Sequence, residues 1–155
     1  MLITPTQAPA SGTEAPIHSN PFWPDIEPEA ARAALRLDGT VTGPRLRHAL
    51  VEAIADINGR LATWRRSHQA SGFPTLDTVP AETVDGESEH VARYRRAVYC
   101  LAGASLIERY RSFDSTHAGH QQADELTPSV DELRRDAGWA VSDLLGRGRA
   151  TIELI

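Results

Sequence analysis

One spacing in the sequence suits a metal ion: His117-Ala-Gly-His120-Gln-Gln-Ala-Asp124. On a helix these three side chains would share a face. Gly119 lies inside the stretch and polar residues surround it, so we read a solvated loop rather than a braced metal site. Asp85-Gly86-Glu87-Ser88-Glu89 is acidic but lacks the ligand spacing of a calcium loop, and a turn leading into a helix explains it. No phosphate loop, nucleophile elbow or dinucleotide fingerprint appears. The sequence therefore predicts no catalytic residue, no cofactor and no metal site.

The residues that stand out are of types that bind other chains. Glu108-Arg109-Tyr110-Arg111 joins Arg and Tyr, which are enriched at interface centres. Phe22-Trp23 interrupts a polar, proline-rich tract. Two large aromatics there either anchor in a neighbour's pocket or pin the tract to its own domain. Ala150-Thr151-Ile152-Glu153-Leu154-Ile155 alternates apolar and polar residues, the pattern of a strand. A lone strand leaves its backbone groups unpaired, so this one is expected to pair with another subunit or protein. We take Phe22, Trp23, Arg109, Tyr110, Arg111, Ile152, Leu154 and Ile155 as the candidate contact residues.

The elements that must position them are helical. Residues 1–24 hold five of the ten prolines and read as an extended arm. A short helix is predicted near Glu27 to Leu37, capped by Asp25 with Pro28 in its first turn. A second runs from a Thr42 cap to Gln69. Leu46, Leu50, Ala53, Ile54, Ile57, Leu61 and Trp64 make its buried face. Gly59 inside it suggests a close packing contact. Residues 71–86 read as a loop with Phe73, Leu76 and Val79 tucked beneath. A third helix, from Asp85–Ser88 to about Arg111, is apolar on most sides between Ala97 and Ile107, the mark of a central helix. Its small residues, Ala102 to Ser105, allow another helix to come close. Cys100, the single cysteine, is expected in the core. The fourth helix runs from about Pro128 to Leu145, capped by Thr127.

The fold class is thus all-α: about four helices in a small bundle over residues 25–149, with a proline-rich arm at 1–24 and a strand or tail at 150–155. The 155 residues suffice for one core. The net charge of −5 shows no basic excess of the kind that grips duplex DNA. All sixteen basic residues are arginine, which we read as genome composition rather than as a signal. No signal peptide or membrane span is predicted: the longest apolar run, 97–107, falls short of the ~20 residues a bilayer needs. Folding in a cytoplasm is the expectation.

Taken in order, several stretches resemble one family. They are Phe22 with Pro24-Asp25-Ile26 and Pro28; Asp85-Gly86-Glu87-Ser88; Arg96-Ala97-Val98 with Cys100; and Ala104-Ser105-Leu106 leading into Glu108-Arg109-Tyr110-Arg111. Asp131-Glu132-Leu133 with Arg135-Asp136, then Trp139-Ala140-Val141, continue the likeness. The family is the head completion protein (protein L) of Peduovirus-type tailed phages. The first twenty residues and the loop from His117 to Gln122 depart from its pattern. The resemblance implies a structural virion protein without catalysis or metal. Such a protein docks on the portal after DNA packaging, in a ring of about twelve copies. It stabilises the filled head, carries neck and tail proteins, and lets genomic DNA pass without reading it. It has no membrane partner. The competing reading is a helical nucleic-acid-binding regulator whose arginine-rich second helix contacts phosphates.

Overall fold

The computed structural model describes residues 14–111 and 128–149. Five α-helices fall within them: α1 (Pro28–Leu35), α2 (Gly43–Arg60), α3 (Ala62–Ala70), α4 (Glu89–Arg111) and α5 (Val130–Leu144). A single 3-10 turn, Leu76–Thr78, and a two-stranded hairpin, β1 (Thr83–Val84) with β2 (Glu87–Ser88), lie between α3 and α4.

Helix α4 is the centre of the molecule. Its apolar middle faces neighbours on more than one side, packing most extensively on α5 and then on α2. Tyr94, Ala97, Val98 and Ala102 are buried in the main core with the apolar face of α2, from Leu46 to Ile57. Ala104 joins Val130 and Leu133 of α5 in a second, smaller cluster. Small residues make this approach possible. A Cβ on Gly103 would lie 2.9 Å from Cδ2 of Leu35 and 3.5 Å from Cδ1 of Leu133, so α1 and α5 both close over the glycine. Cys100 is half-buried against the smaller cluster, and burial pushes its thiol pKa up, so it is a packing residue rather than a nucleophile.

Four expectations about the helices are corrected. The long second helix is two helices, because the backbone at Leu61 (φ −98°, ψ 4°) leaves the helical region. Leu61 itself stays in the core. Gly59 precedes that break and makes no close contact: a Cβ there would meet nothing within 4 Å. Helix α5 is capped by Ser129 rather than Thr127. The Ser129 hydroxyl accepts the Glu132 N–H at 3.1 Å and the Glu132 carboxylate accepts the Ser129 N–H at 2.8 Å. Helix α1 begins after Glu27 without a side-chain cap, and Asp25 instead lies 2.8 Å from Nδ1 of His18.

From residue 14 onward the proline-rich tract packs on the helices. Ile17 and Ile26 exchange backbone hydrogen bonds at 2.8 and 3.1 Å, closing residues 18–25 into a loop laid on the helices. Arg47 donates to the Ala15 carbonyl at 2.7 Å, and the Leu76 N–H donates to the Phe22 carbonyl at 2.8 Å. Ile17, Phe22, Trp23 and Ile26 are all buried. Between the two roles open to Phe22-Trp23, the structure takes the internal one. A proline-rich chain cannot form a helix here, but it can still bury its apolar residues on one.

Leu76 and Val79 are buried and Phe73 is partly buried, as the loop reading expects. The hairpin after them was not expected. Its Asp85-Gly86 turn has φ of +51° and +76°, the pairing of a type I′ turn. His117, His120, Asp124, Ile152, Leu154 and Ile155 lie outside the described residues.

Candidate interaction surfaces

The first turns of α2 and the last turns of α4 converge on a groove of about 330 Å³. Val41, Pro44, Ala49 and Leu106 give it an apolar floor, and Arg45, His48, Ser105 and Arg109 edge it. Helical spacing sets this arrangement. Ala49 turns inward with the core face of α2, while His48 and Glu52, one turn apart, lie on its outer face. The Glu52 carboxylate is shared: His48 Nε2 lies 3.1 Å from one oxygen and Arg109 Nη2 3.4 Å from the other. This bridge ties the end of α4 to α2. These side chains are about half exposed, so the bridge orients the rim more than it stabilises the fold. An apolar floor with a polar rim is the anatomy of a protein-binding patch. Among the described residues no group of three or more His, Cys, Asp and Glu side chains could hold a metal ion.

A second surface lies on α5 and the chain beyond it. The guanidinium groups of Arg135 and Arg149 lie 4.6 and 4.7 Å from the centroid of the Trp139 ring. Arg149 also grips Asp143 with two hydrogen bonds, 2.8 and 3.3 Å long, and these hold the Asp143 carboxyl below its usual range. Asp136 lies 3.3 Å from Arg135 and 3.8 Å from Arg96 of α4, so charges from two helices interleave here.

The candidate residues are thus dispersed. Arg109 sits on the rim of the groove, and Tyr110 and Arg111 continue α4 to its end. Phe22 and Trp23 pack elsewhere, beside Trp64 and Tyr94. Sequence reasoning missed the groove because Val41, Pro44 and His48 acquire meaning only beside Leu106 and Arg109. The Trp139 contacts were missed as well: Arg135, four residues before Trp139, was a usable signal, whereas Arg149, ten residues after it, was not. The arginines of α2 do not form an open phosphate-binding row: Arg47 holds the Ala15 carbonyl and Arg60 pairs with Asp56 at 2.8 Å.

A family model described as phage head completion protein (GPL) matches residues 17–155. The chain belongs to the phage head completion protein family. It is 41% identical over 145 residues to the head completion/stabilization protein of Escherichia phage P2, covering 94% of this chain and 86% of that one. It is 24% identical over 139 residues to the probable head completion/stabilization protein of Haemophilus phage HP1 (strain HP1c1), covering 90% and 91%. No solved structure matches the chain. The family is one of structural, virion-associated proteins, not enzymes.

Proposed function

We propose that the protein docks on the portal of the DNA-filled head as one of a ring of about twelve copies. The ring stabilises the filled head and carries the neck and tail proteins. The groove between α2 and α4 supports this reading most. It offers an apolar floor and a cationic rim at the end of α4, where Glu108-Arg109-Tyr110-Arg111 adds further interface chemistry. The segment carrying Ile152, Leu154 and Ile155 supplies a second contact by strand addition. Assembly takes place in the host cytoplasm. Genomic DNA passes the ring without being read, and a net charge of −5 suits a neighbour that must not hold it.

The test uses DNA-filled heads assembled without the protein. Adding the purified wild-type chain is expected to make their DNA resistant to nuclease and to restore tail joining. An Arg45→Glu/His48→Glu double variant, with unchanged helical content, is expected to lose both. Electron microscopy of the completed heads should show a closed ring at one vertex. Copies spread over the shell instead, or a fully active double variant, would sink the proposal.

A further inference from the structure

The β1–β2 hairpin is a small projection fixed to the start of α4. Its strands pair Thr83 with Ser88 and Val84 with Glu87. The Glu89 N–H donates to the Glu82 carbonyl at 3.0 Å, and Arg95 of α4 pairs with the Glu87 carboxylate. The hairpin is thus pinned at its base, while every residue from Glu82 to Gly86 is exposed. Val84 is 62% exposed, the most of any large apolar side chain among the described residues. A single exposed valine is ordinary. This one is carried on a tight turn between two carboxylates, Glu82 and Asp85, which form no ion pair among the described residues. The groove between α2 and α4 has the opposite character. Its floor is apolar, and Arg45 and Arg109 on its rim outnumber the Glu52 carboxylate beside them. Helix α4 keeps the two features apart. From Glu89 to Ser105 in the groove wall it rises roughly 24 Å, at ~1.5 Å per residue. A hairpin pinned at one end of α4 cannot reach the groove at the other end of the same chain.

We propose that the hairpin of one copy seats in the α2–α4 groove of the next, with Val84 on the apolar floor and Glu82 and Asp85 facing the arginines of the rim. This contact rests on the reading of the protein as one of a ring of copies, and it names what joins neighbours. A second copy is the occupant that the charges select. An acidic knob meets a cationic rim, whereas two grooves or two hairpins face to face would set like charges together. The contact is head-to-tail: each copy gives one hairpin and receives one. Contacts of this kind close into a ring when the rotation between neighbours divides a full turn. The knob is preformed, so seating it costs little chain freedom. A short hairpin in a groove of about 330 Å³ buries far less than the ~1,200 Å² of a stable interface. The contact is therefore weak between free chains and strong once a shared surface holds the copies side by side.

The experiment adds full-length chain to DNA-filled heads assembled without it, then applies a mild thiol oxidant. Three cysteine variants are compared: Val84→Cys, Ser105→Cys and the two combined. The two positions are too far apart to bridge within one chain. The combined variant is expected to give a reducible ladder of two, three and more copies of this chain, and each single variant only the unlinked chain. A separate variant, Val84→Asp, is expected to bind the heads on the order of tenfold more weakly, because a charge replaces the side chain on the apolar floor. Its helical content and melting temperature should be unchanged, since Val84 is exposed. No ladder from the combined variant, together with wild-type binding by Val84→Asp, would overturn the contact and leave docking on the head intact. Dimers from either single variant would show like faces meeting, and a link from Val84→Cys to a head protein of another size would place the hairpin elsewhere; both overturn it. Failure of the wild-type chain to dock would remove the ring reading, and this contact with it.

Discussion

The indole of Trp23 lies flat on the ring of Tyr94, with centroids 4.8 Å apart and planes 5° from parallel. Phe22 meets the same indole edge-on at 4.8 Å. The Tyr94 hydroxyl reaches Asn58 Oδ1 of α2 at 2.7 Å, and the Asn58 amide reaches Ser19 Oγ at 3.3 Å. The proline-rich tract, α2 and α4 are therefore joined at one place, by ring stacking and by a short chain of hydrogen bonds. Burial pushes the Tyr94 hydroxyl well above the usual tyrosine range, so it stays a donor at any ordinary pH.

Trp23→Ala is expected to lower the stability of the fold by ~3–5 kcal/mol, the range for removing a large buried aromatic. Urea unfolding followed by circular dichroism measures it. A loss under ~1 kcal/mol would mean that the tract is a detachable arm after all.

His90 makes part of the stability depend on pH. Its ring stands edge-on to Trp64 at 5.4 Å, and Nδ1 is buried without a hydrogen-bond partner. Burial lowers its pKa below 6.5; Arg93 and His68 act in the same direction, while the Pro80 carbonyl and Glu89 oppose it. The folded state then binds fewer protons than the unfolded chain. The His90 contribution is complete above pH 6.5 and is lost as pH falls through the lowered folded value. Stability measured from about pH 7 to about pH 5 should fall less steeply in His90→Gln than in wild type. Identical slopes would count against the assignment.

Ser129→Ala removes one half of the reciprocal cap on α5 and should cost about 1 kcal/mol. Thr127→Ala should cost a few tenths at most if Ser129 is the cap, as for a surface change away from any cap. Thermal melts of the two variants side by side decide between them.

The helical frame was legible in the sequence wherever one periodicity ran unbroken. The buried face of α2, the central character of α4 and the apolar face of α5 all follow from spacing alone. The break at Leu61 did not, because the same apolar rhythm continues across it from Ile57 to Trp64. The packing of residues 14–27 was hidden by its prolines, which announce the loss of helix but not where the aromatics go. The Asp85-Gly86 pair is the usual signal of a tight hairpin turn, but strands of two residues leave no alternation to detect. Of the contact residues, Arg109 was chosen for its type, and its groove was illegible because its walls come from opposite ends of two helices.

The Trp23–Tyr94 stack also sets an order of events during synthesis. A ribosome releases Trp23 long before it makes Tyr94, and Leu76, which holds the Phe22 carbonyl, also comes later. The first-made part of the body must therefore wait, with its aromatics unsheltered, until the central helix emerges. Contacts between such distant positions slow folding. Until α4 arrives, the nascent chain has no Tyr94 ring on which to shelter Trp23.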